Sequence, residues 1–401
     1  MNSPSAFRMT AQERRSSVSL AGLYILRMLG LFLVLPVFAV AAQGLPGGTD
    51  PAKIGLALGM YGFTQAVMQI PFGMASDRWG RRPVVVAGML LFVLGSVICT
   101  VADDLFWITL GRAIQGSGAI SAAITAWLAD STREEVRTKA MALIGASIGL
   151  TFAVSLVLAP LLVGWGGLRG LFGTITVLGV AALLVASFVI PAAPPTPASP
   201  DQASFADVLR NPDLFRLNLG ILVLHLVQIA LFVAIPAALV ETGGLDAAGL
   251  WKVYLPVVTI SFVFMLPIIG VTERFRAHRP ALLAAVAALV LVCAALVWTQ
   301  HHFVALVLSL LLFFTAFNTL EALQPSMVSR VAPPQLKGAA LGVFNTCQAI
   351  GLFLGGAVGG WLIVQWGKGG MFWVCAALAV LWLLVAWRMS PLPVRARPRA
   401  E

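Results

Sequence analysis

Long apolar runs separated by short polar segments recur along the whole chain. Each run has about 20 residues or more, enough for an α-helix to cross the roughly 30 Å hydrocarbon core of a bilayer. Apolar and polar residues do not alternate within the runs, which argues against a transmembrane β-barrel. We therefore predict an all-α polytopic membrane protein with twelve transmembrane helices, numbered spans 1 to 12. Their predicted limits are residues 17–43, 54–76, 83–101, 106–129, 138–164, 168–191, 216–240, 250–272, 280–299, 303–329, 338–365 and 369–389.

The spans are predicted to form two six-helix halves. The N-terminal half covers residues 1–191, a linker covers 192–215, the C-terminal half covers 216–389, and a tail covers 390–401. The linker starts with residues rich in Pro, Ala and Ser, which favour a flexible segment. Its last part, FADVLRNPDLF, is either a short amphipathic helix on the membrane surface or a plain loop.

The two halves are similar in one loop. The segment after span 2 reads GMASDRWGRR, and the segment after span 8 reads GVTERFRAHR. Both begin with glycine, contain an acidic residue followed by arginine, and end in arginine. This similarity indicates two parallel repeats, and transporters built in this way bind substrate near the middle of the membrane, between the repeats.

Composition and charge agree with a membrane protein. The 401 residues are 59% hydrophobic and only 10% charged, against about 25% charged in a soluble domain. Most Lys and Arg residues lie in the two ends of the chain and in the loops on one side, whereas the loops opposite contain only Lys53, Arg169, Lys252 and Lys368. By the positive-inside rule, both termini and the linker are predicted to be cytoplasmic. The net charge of +10 follows from this asymmetry and gives no basic stripe for a nucleic acid.

Several function classes are not expected from the sequence. The first apolar run is too long for a signal peptide, so span 1 is predicted to remain uncleaved. The four cysteines lie within spans and have no disulfide or metal-binding spacing, so we expect no metal and no cofactor. No G-x-x-x-x-G-K-[ST] sequence is present, which argues against ATP-driven transport by this chain. No nucleophile–base pair stands out, and an enzyme is therefore not expected.

Two motifs resemble signatures of a known family. The loop Gly73–Arg82 has the pattern G-x-x-x-D-R-x-G-R-R, and span 4 contains GRAIQGSGA. Both resemble signatures of the major facilitator superfamily, and stretches such as LRMLGLFLVLP and FNTLEALQPS are similar to its YajR branch, which is grouped with drug/proton antiporters. The resemblance covers nearly the whole chain and implies the major facilitator fold. Because the chain stops at Glu401, we expect it to lack the soluble C-terminal domain of some relatives.

The charged loop after span 2 is predicted to act as a conformational latch. Gly73 would let span 2 approach the glycine-rich face of span 11. Asp77 would lie near the positive N-terminal end of span 11, and Arg81 would pair with Asp130. The alternative is that the arginines only set the topology of the loop. Arg78 and Arg82 are expected to face lipid phosphates. The predicted latch residues, with Gly80 providing the turn, are Gly73, Asp77, Arg78, Gly80, Arg81, Arg82 and Asp130.

Glu321 is the candidate proton-coupling residue. Of the sixteen acidic residues, only Glu321 lies well inside a predicted span. It precedes Arg330 by nine residues, which places it roughly 13 Å from the inner end of span 10. An ionised acid at this depth costs about 2.5–3.5 kcal/mol or more, so it should face a cavity or a partner. The alternative is a permanently neutral carboxyl group that hydrogen-bonds between helices.

Arg27, Arg112 and His225 are further candidates for proton coupling. Arg27, near the middle of span 1, is predicted to bind an anionic substrate, to pair with Glu321, or only to hydrogen-bond backbone carbonyls. Arg112 belongs to the span 4 signature, which the resemblance links to proton transfer, and its alternative role is to stiffen the bundle. His225 can titrate near neutral pH, although a static hydrogen-bond donor is the alternative.

Polar residues at helical spacing are candidates for a substrate cavity. Gln65 and Gln69 lie four residues apart on one face of span 2, for example. Hydrogen bonding between helices is the alternative for each of these residues. The predicted cavity residues are Tyr61, Gln65, Gln69, Gln115, Gln228, Asn318, Asn345 and Gln348.

The sequence thus predicts a proton-coupled secondary transporter that works by alternating access. Efflux of a small organic or amphipathic compound by antiport is favoured. In span 5, Ala159 replaces the glycine that antiporters of this superfamily carry before Pro160, which leaves the direction of transport open. The alternatives are an uptake symporter for a metabolite and a non-transporting receptor or scaffold. The expected partners are a small-molecule substrate, protons and the lipid bilayer, with no nucleic acid, and we expect a monomer in a bacterial inner membrane.

Overall fold

The computed structural model describes residues 9–191, 205–333 and 336–390, and within them it contains α-helices and no β-strand. The prediction of an all-α membrane protein is confirmed. The helices are α1 (Ala11–Phe32), α2 (Phe38–Ala41), α3 (Pro51–Trp79), α4 (Arg81–Val101), α5 (Leu105–Ser117), α6 (Ser121–Asp130), α7 (Glu134–Leu184), α8 (Phe205–Arg210), α9 (Pro212–Gly243), α10 (Trp251–Phe275), α11 (His278–Thr299), α12 (Phe303–Val331) and α13 (Lys337–Trp387).

These helices are consistent with twelve spans. Span 1 consists of α1 and α2, and span 4 consists of α5 and α6. Two helices of 51 residues, α7 and α13, each hold two spans, because their backbones leave the helical conformation at Gly166–Gly167 and at Gly367. Length and hydropathy alone identify seven segments able to cross a membrane in the described part of the chain, and the longest two contain these bends.

Local sequence explains where several helices begin and end. Thr10 caps α1, and the Thr10 backbone N–H donates to the Glu13 side chain, which completes a capping box. The side chains of Asp50 and Asn211 cap α3 and α9, each directly before a proline that favours the first helical position. Gly80 ends α3 with a φ of 91°, a conformation that glycine adopts without strain.

Two predicted spans are broken in the middle, which the hydropathy pattern did not indicate. Span 1 was predicted to continue to residue 43, but α1 ends at Phe32 and an irregular segment precedes α2. Span 4 is interrupted between Ser117 and Ser121. Non-helical backbone is tolerated at membrane depth where protein surrounds it, and Leu33, Val34 and Ile120 are fully buried.

The described part of the linker contains one short helix. Residues 205–210 form α8, which agrees with a short helix in FADVLRNPDLF, but Pro212 already begins α9. Val208 of α8 is fully buried, so this helix packs against protein through at least one residue. The rest of the predicted linker, residues 192–204, lies outside the described residues, as does the predicted tail beyond residue 390.

The two halves pack closely at one end of the bundle. We call the end that carries Arg81, Arg133 and Arg330 the basic end. The end at which the halves pack closely is then the opposite end. A Cβ atom on Gly55 of α3 would lie 2.0 Å from the Gly356 carbonyl oxygen of α13. Gly55 and Gly356 therefore have to be glycine for these helices to approach so closely.

Toward the basic end the two halves separate. A Cβ atom on Gly338 or Gly342 of α13 would have no atom within 4 Å. Ion pairs among the described residues at this end, such as Arg81–Asp130 and Arg330–Glu273, join residues of one half. The predicted approach of Gly73 to span 11 is not seen in this conformation, in which Ala122 of α6 lies 3.9 Å from a Cβ atom added to Gly73.

Candidate functional site

Glu321 lies in α12 beside His225 of α9. The Glu321 Oε1 atom is 3.5 Å from His225 Nε2, and the Gln348 amide nitrogen is 2.7 Å from the same ring nitrogen. The His225 side chain is almost fully buried, whereas the Glu321 side chain is 25% exposed. Helices α9, α12 and α13 thus bring together three residues that the sequence analysis selected separately.

The hydrogen bonds around His225 define its tautomer and leave Glu321 without a donor. The Gln348 amide nitrogen can only donate, so His225 Nε2 accepts, and His225 Nδ1 donates to the Ile221 carbonyl 3.1 Å away. The imidazole is then neutral. Glu321 Oε1 is buried and has no hydrogen-bond partner among the described residues. Two acceptor atoms therefore face each other, an arrangement that favours a proton on the carboxyl group.

Arg27 is held by the broken part of span 4. Its Nη1 donates to Ser121 Oγ at 2.9 Å, and its Nη2 donates to the Gly118 carbonyl at 3.3 Å. The Gly118 carbonyl lies in the interruption between α5 and α6, where it also accepts from the Ile120 N–H at 2.9 Å. Of the three roles predicted for Arg27, the hydrogen bond to a backbone carbonyl is the one observed, and Glu321 is not its ion-pair partner. Arg27 Nε is buried and has no hydrogen-bond partner in the described part of the chain.

Arg112 lies in a separate polar network of the N-terminal half. Its Nη1 donates to Gln115 Oε1 at 3.1 Å, and its guanidinium carbon lies 4.8 Å from the centre of the Tyr61 ring. The Gln115 amide donates in turn to Ser96 Oγ at 2.8 Å. Arg112, Gln115 and Tyr61 are fully buried. In this conformation Gln115 connects span 4 to span 3, which matches the alternative of hydrogen bonding between helices.

The remaining predicted cavity residues differ in their surroundings. The Asn318 amide donates to Ser261 Oγ at 3.0 Å and so joins α12 to α10. Gln65, Gln69 and Gln228 are buried and carry side-chain atoms without a hydrogen-bond partner. Asn345 is partly exposed. Gln65, Gln69 and Gln228 thus keep polar atoms available for a substrate or for water.

The charged segment at the end of span 2 forms a compact ion-pair group. Arg81 Nε is 2.8 Å from Asp130 Oδ2, and Arg81 Nη1 contacts both Asp77 and Ser76 Oγ, the latter at 2.8 Å. The Arg81 and Asp130 side chains are largely buried, while Asp77 is 69% exposed. Among the described residues, Asp77 pairs with Arg81.

Arg82 has a role that the sequence did not indicate. It donates to the Ile190 carbonyl, and its guanidinium lies 5.9 Å from the centre of the Trp127 ring. The Trp127 indole donates to the next carbonyl, that of Pro191. The expectation that Arg82 faces lipid phosphates is wrong, because Arg82 caps the end of span 6. Arg78 is exposed, as that expectation requires.

Aromatic residues at the meeting of the halves were missed by the sequence analysis. Phe152 of α7 lies 5.6 Å, ring centre to ring centre, from Phe317 and 6.4 Å from Phe232, both in the C-terminal half. The Tyr254 hydroxyl donates to the Pro36 carbonyl at 3.4 Å, again across the halves. No motif marks these residues. Tyr24 was also missed, although it lies one turn before Arg27 on the same helix face.

Comparison with known proteins gives consistent matches. The model of the Major Facilitator Superfamily matches residues 20–356 and 272–401. The inner membrane transport protein YajR of Escherichia coli K12 is 42% identical over 400 residues, which are 98% of this chain and 87% of YajR. The multidrug resistance protein MdtL of E. coli O127:H6 is 31% identical over 166 residues, 38% of this chain and 41% of MdtL. A crystal structure of a mutant nucleoside transporter NupG superposes with a TM-score of 0.73 at 16% identity, covering 93% of this chain and 99% of NupG.

Proposed function

Because this chain belongs to the Major Facilitator Superfamily, we propose that it is a proton-coupled secondary transporter that exports a small organic or amphipathic compound in exchange for protons. The observation that carries the proposal is Glu321, an acid inside the bundle whose Oε1 faces the unprotonated nitrogen of His225. A carboxyl group without a donor takes up a proton readily, and its partial exposure gives the proton a route to leave.

Alternating access is supported by the unequal packing of the two ends. The glycine contacts between α3 and α13 hold the halves together at the opposite end, and the Phe152 cluster joins the halves deeper in the bundle. We assign the basic end to the cytoplasm, because Lys and Arg concentrate in its loops. With this assignment the conformation faces inward. The name of YajR, an inner membrane protein of E. coli, supports placement of this chain in a bacterial inner membrane.

The ion-pair group of Asp77, Arg81 and Asp130 is proposed to act in the conformation that is closed at the basic end. Asp77 is exposed here and has room to meet another partner. When the basic end closes, Asp77 would approach the N-terminus of α13, whose positive end attracts a carboxylate. Arg81 would keep Asp77 oriented through its bond to Asp130. We propose this group as a latch for the outward-facing state, with Gly80 as its turn.

Export is favoured over uptake by one comparison. The relative MdtL, which aligns with 38% of this chain, is named a multidrug resistance protein. A substrate that lies between the halves would reach Glu321, Gln348 and Gln228 from the C-terminal half and Gln65 and Gln69 from the N-terminal half. These residues are therefore proposed as the substrate-binding surface.

Replacement of Glu321 by glutamine tests the proposal. A thermal-shift screen of purified protein against metabolites and toxic compounds supplies the strongest stabiliser as the transport probe. In proteoliposomes with an internal pH dye, the wild type should move protons opposite to this probe, whereas Glu321→Gln should bind the probe and move no protons. Glu241→Gln is the matched control, because Glu241 is an exposed acid paired with Lys368 at the opposite end. Absence of probe-dependent proton movement in the wild type would remove the proposal.

Uptake by symport is the second candidate, and Arg27 is the observation in its favour. Its Nε has no partner, and an anion bound there would raise the affinity of Glu321 for a proton. Anion and proton would then move together. The sign of the proton movement in the same proteoliposomes separates the two candidates, since symport carries protons in the same direction as the probe.

A further inference from the structure

The interior of the bundle carries more positive than negative charge. Arg27 and Arg112 are fully buried, and their recorded hydrogen-bond partners are the neutral groups of Ser121, Gly118 and Gln115. In the described part of the chain neither arginine has an acid within ion-pair distance. An arginine side chain stays charged in a protein, so both charges are permanent.

Glu321 offsets only part of this charge. It is the acid placed well inside a span, and its neighbour His225 is neutral in the observed hydrogen-bond pattern. The interior therefore carries a net charge of about +1 with Glu321 ionised and about +2 with Glu321 protonated. Buried charges without a partner are unfavourable, so this excess favours a ligand that brings a negative group.

Aromatic contacts connect the helices that carry Arg27 and Glu321. Phe152 of α7 lies 5.2 Å, ring centre to ring centre, from Phe32 of α1 and 5.6 Å from Phe317 of α12. Arg27 and Glu321 belong to different halves, so the space between them lies where the halves meet. The Arg112 guanidinium lies over the Tyr61 ring. Arg27 Nε is the guanidinium nitrogen that has no hydrogen-bond partner within the described ranges.

Exchange against protons places a second requirement on the substrate, in addition to a negative group. A substrate that competes with a proton must place a positive group at Glu321, because a positive group there favours the ionised carboxylate. A simple cation would add to the positive charge that Arg27 and Arg112 already bring. We propose that the substrate is a zwitterion, with an amine at Glu321, a carboxylate or similar anionic group at Arg27, and an apolar part against Phe317 and Phe152. This inference rests on the proposed antiport.

The binding of matched probes to the full-length detergent-solubilised protein tests the charge class. The probes are phenylalanine and tryptophan as zwitterions, their amides as cations and their N-acetyl derivatives as anions. The zwitterions should raise the melting temperature most, and a pH dye in weak buffer should record about one proton released per molecule bound. The anions, if bound, should take up a proton.

Two variants locate the charged groups. Arg27→Gln should weaken zwitterion binding by about 10- to 100-fold, the loss expected for a charge-assisted hydrogen bond, and Arg27→Lys should restore part of it. Cation binding should not weaken in Arg27→Gln. Glu321→Gln should abolish proton release. Arg169→Gln is the matched control, because Arg169 is an exposed arginine paired with Asp103 at the opposite end.

The possible outcomes separate this inference from the proposed function. Binding of the amides alone, with proton release, would overturn the zwitterion and leave antiport standing. Binding of the N-acetyl compounds with proton uptake would overturn both in favour of symport. Zwitterion binding that depends on Arg27 without proton release would support the charge class and contradict antiport at Glu321. Binding of none of the probes would overturn the inference.

Discussion

Two glutamates in this molecule have opposite surroundings. Glu13, at the basic end, accepts hydrogen bonds from the Thr10 backbone at 2.7 Å and from the Arg133 backbone and Nε at 3.1 and 2.8 Å. These bonds, that from the Arg133 side chain first, lower the pKa of Glu13 to about 2. Glu321 has no donor on Oε1. Glu13 is therefore suited to a permanent structural charge, and Glu321 to gaining and losing a proton.

Replacement of Glu13 by glutamine is expected to lower stability in a pH-dependent way. The variant loses the charge-assisted bonds that join the start of α1 to the segment before α7, and its melting temperature at pH 7 should fall by about 2–4 °C. Because the folded-state pKa is depressed, this contribution is present above pH 4.5 and is lost as the pH falls toward 2. The difference in melting temperature between wild type and variant should therefore be smaller at pH 3 than at pH 7, as measured by differential scanning fluorimetry.

Glu241→Gln again serves as the control for this experiment. Glu241 forms an exposed ion pair with Lys368 at the opposite end, and exposed pairs contribute little to stability. Its melting temperature should stay within about 1 °C of the wild type at both pH values. An equal loss for Glu13→Gln at pH 7 and at pH 3 would show that the ionised form of Glu13 is not what stabilises the protein.

At the scale of helices, small residues decide which faces meet. The glycine-rich face of span 11 was predicted to pack against span 2, and Gly356 does meet Gly55 of α3. Gly351 and Gly355 instead approach Leu222 and Leu226 of α9. The sequence indicated a glycine-rich face that permits close approach, but glycines that are adjacent along a helix point to different neighbouring helices. The choice between α3 and α9 depends on the whole bundle.

Replacement of Gly356 by alanine should weaken closure at the opposite end. The new methyl group would lie 2.2 Å from the Gly55 carbonyl oxygen, so α3 and α13 must move apart. Overpacking of this kind costs about 1–3 kcal/mol, enough to shift a two-state equilibrium. In a chain with its native cysteines replaced, spin labels at Thr49→Cys and His301→Cys, one in each half at this end, should show a larger population of long distances.

Gly342→Ala is the matched control, since Gly342 lies on the same helix and has no atom within 4 Å of an added Cβ. It should leave the distance distribution at the opposite end unchanged. If both alanine variants gave the wild-type distribution, the contact between α3 and α13 would not be what holds this end closed.

For the whole molecule, the sequence predicted the number of spans and their division into halves, because the thickness of the bilayer fixes the length of an apolar helix. It did not predict the break at Gly118, whose carbonyl accepts from the Arg27 guanidinium and from the Ile120 N–H. It selected Glu321, His225 and Gln348 individually. Residue spacing along the chain does not show that these three residues, on three different helices, are in contact. It also gave no conformational state, because such states differ by only a few kcal/mol.

Asp77→Asn is expected to shift the molecule toward the conformation described here. Asp77 is exposed and touches only the neighbouring Arg81 among its recorded partners, so its loss costs this conformation little. The conformation closed at the basic end would lose the attraction between the Asp77 carboxylate and the N-terminus of α13, worth about a two- to fivefold change in population. Spin labels at Gln12→Cys and Phe275→Cys, in different halves at the basic end, should report more of the long distances.

Arg78→Gln, which removes an exposed charge from the same segment, should not increase the population of long distances. A distribution unchanged by Asp77→Asn would mean that the Arg81–Asp130 pair only stiffens the N-terminal half, and that the basic end closes through other contacts.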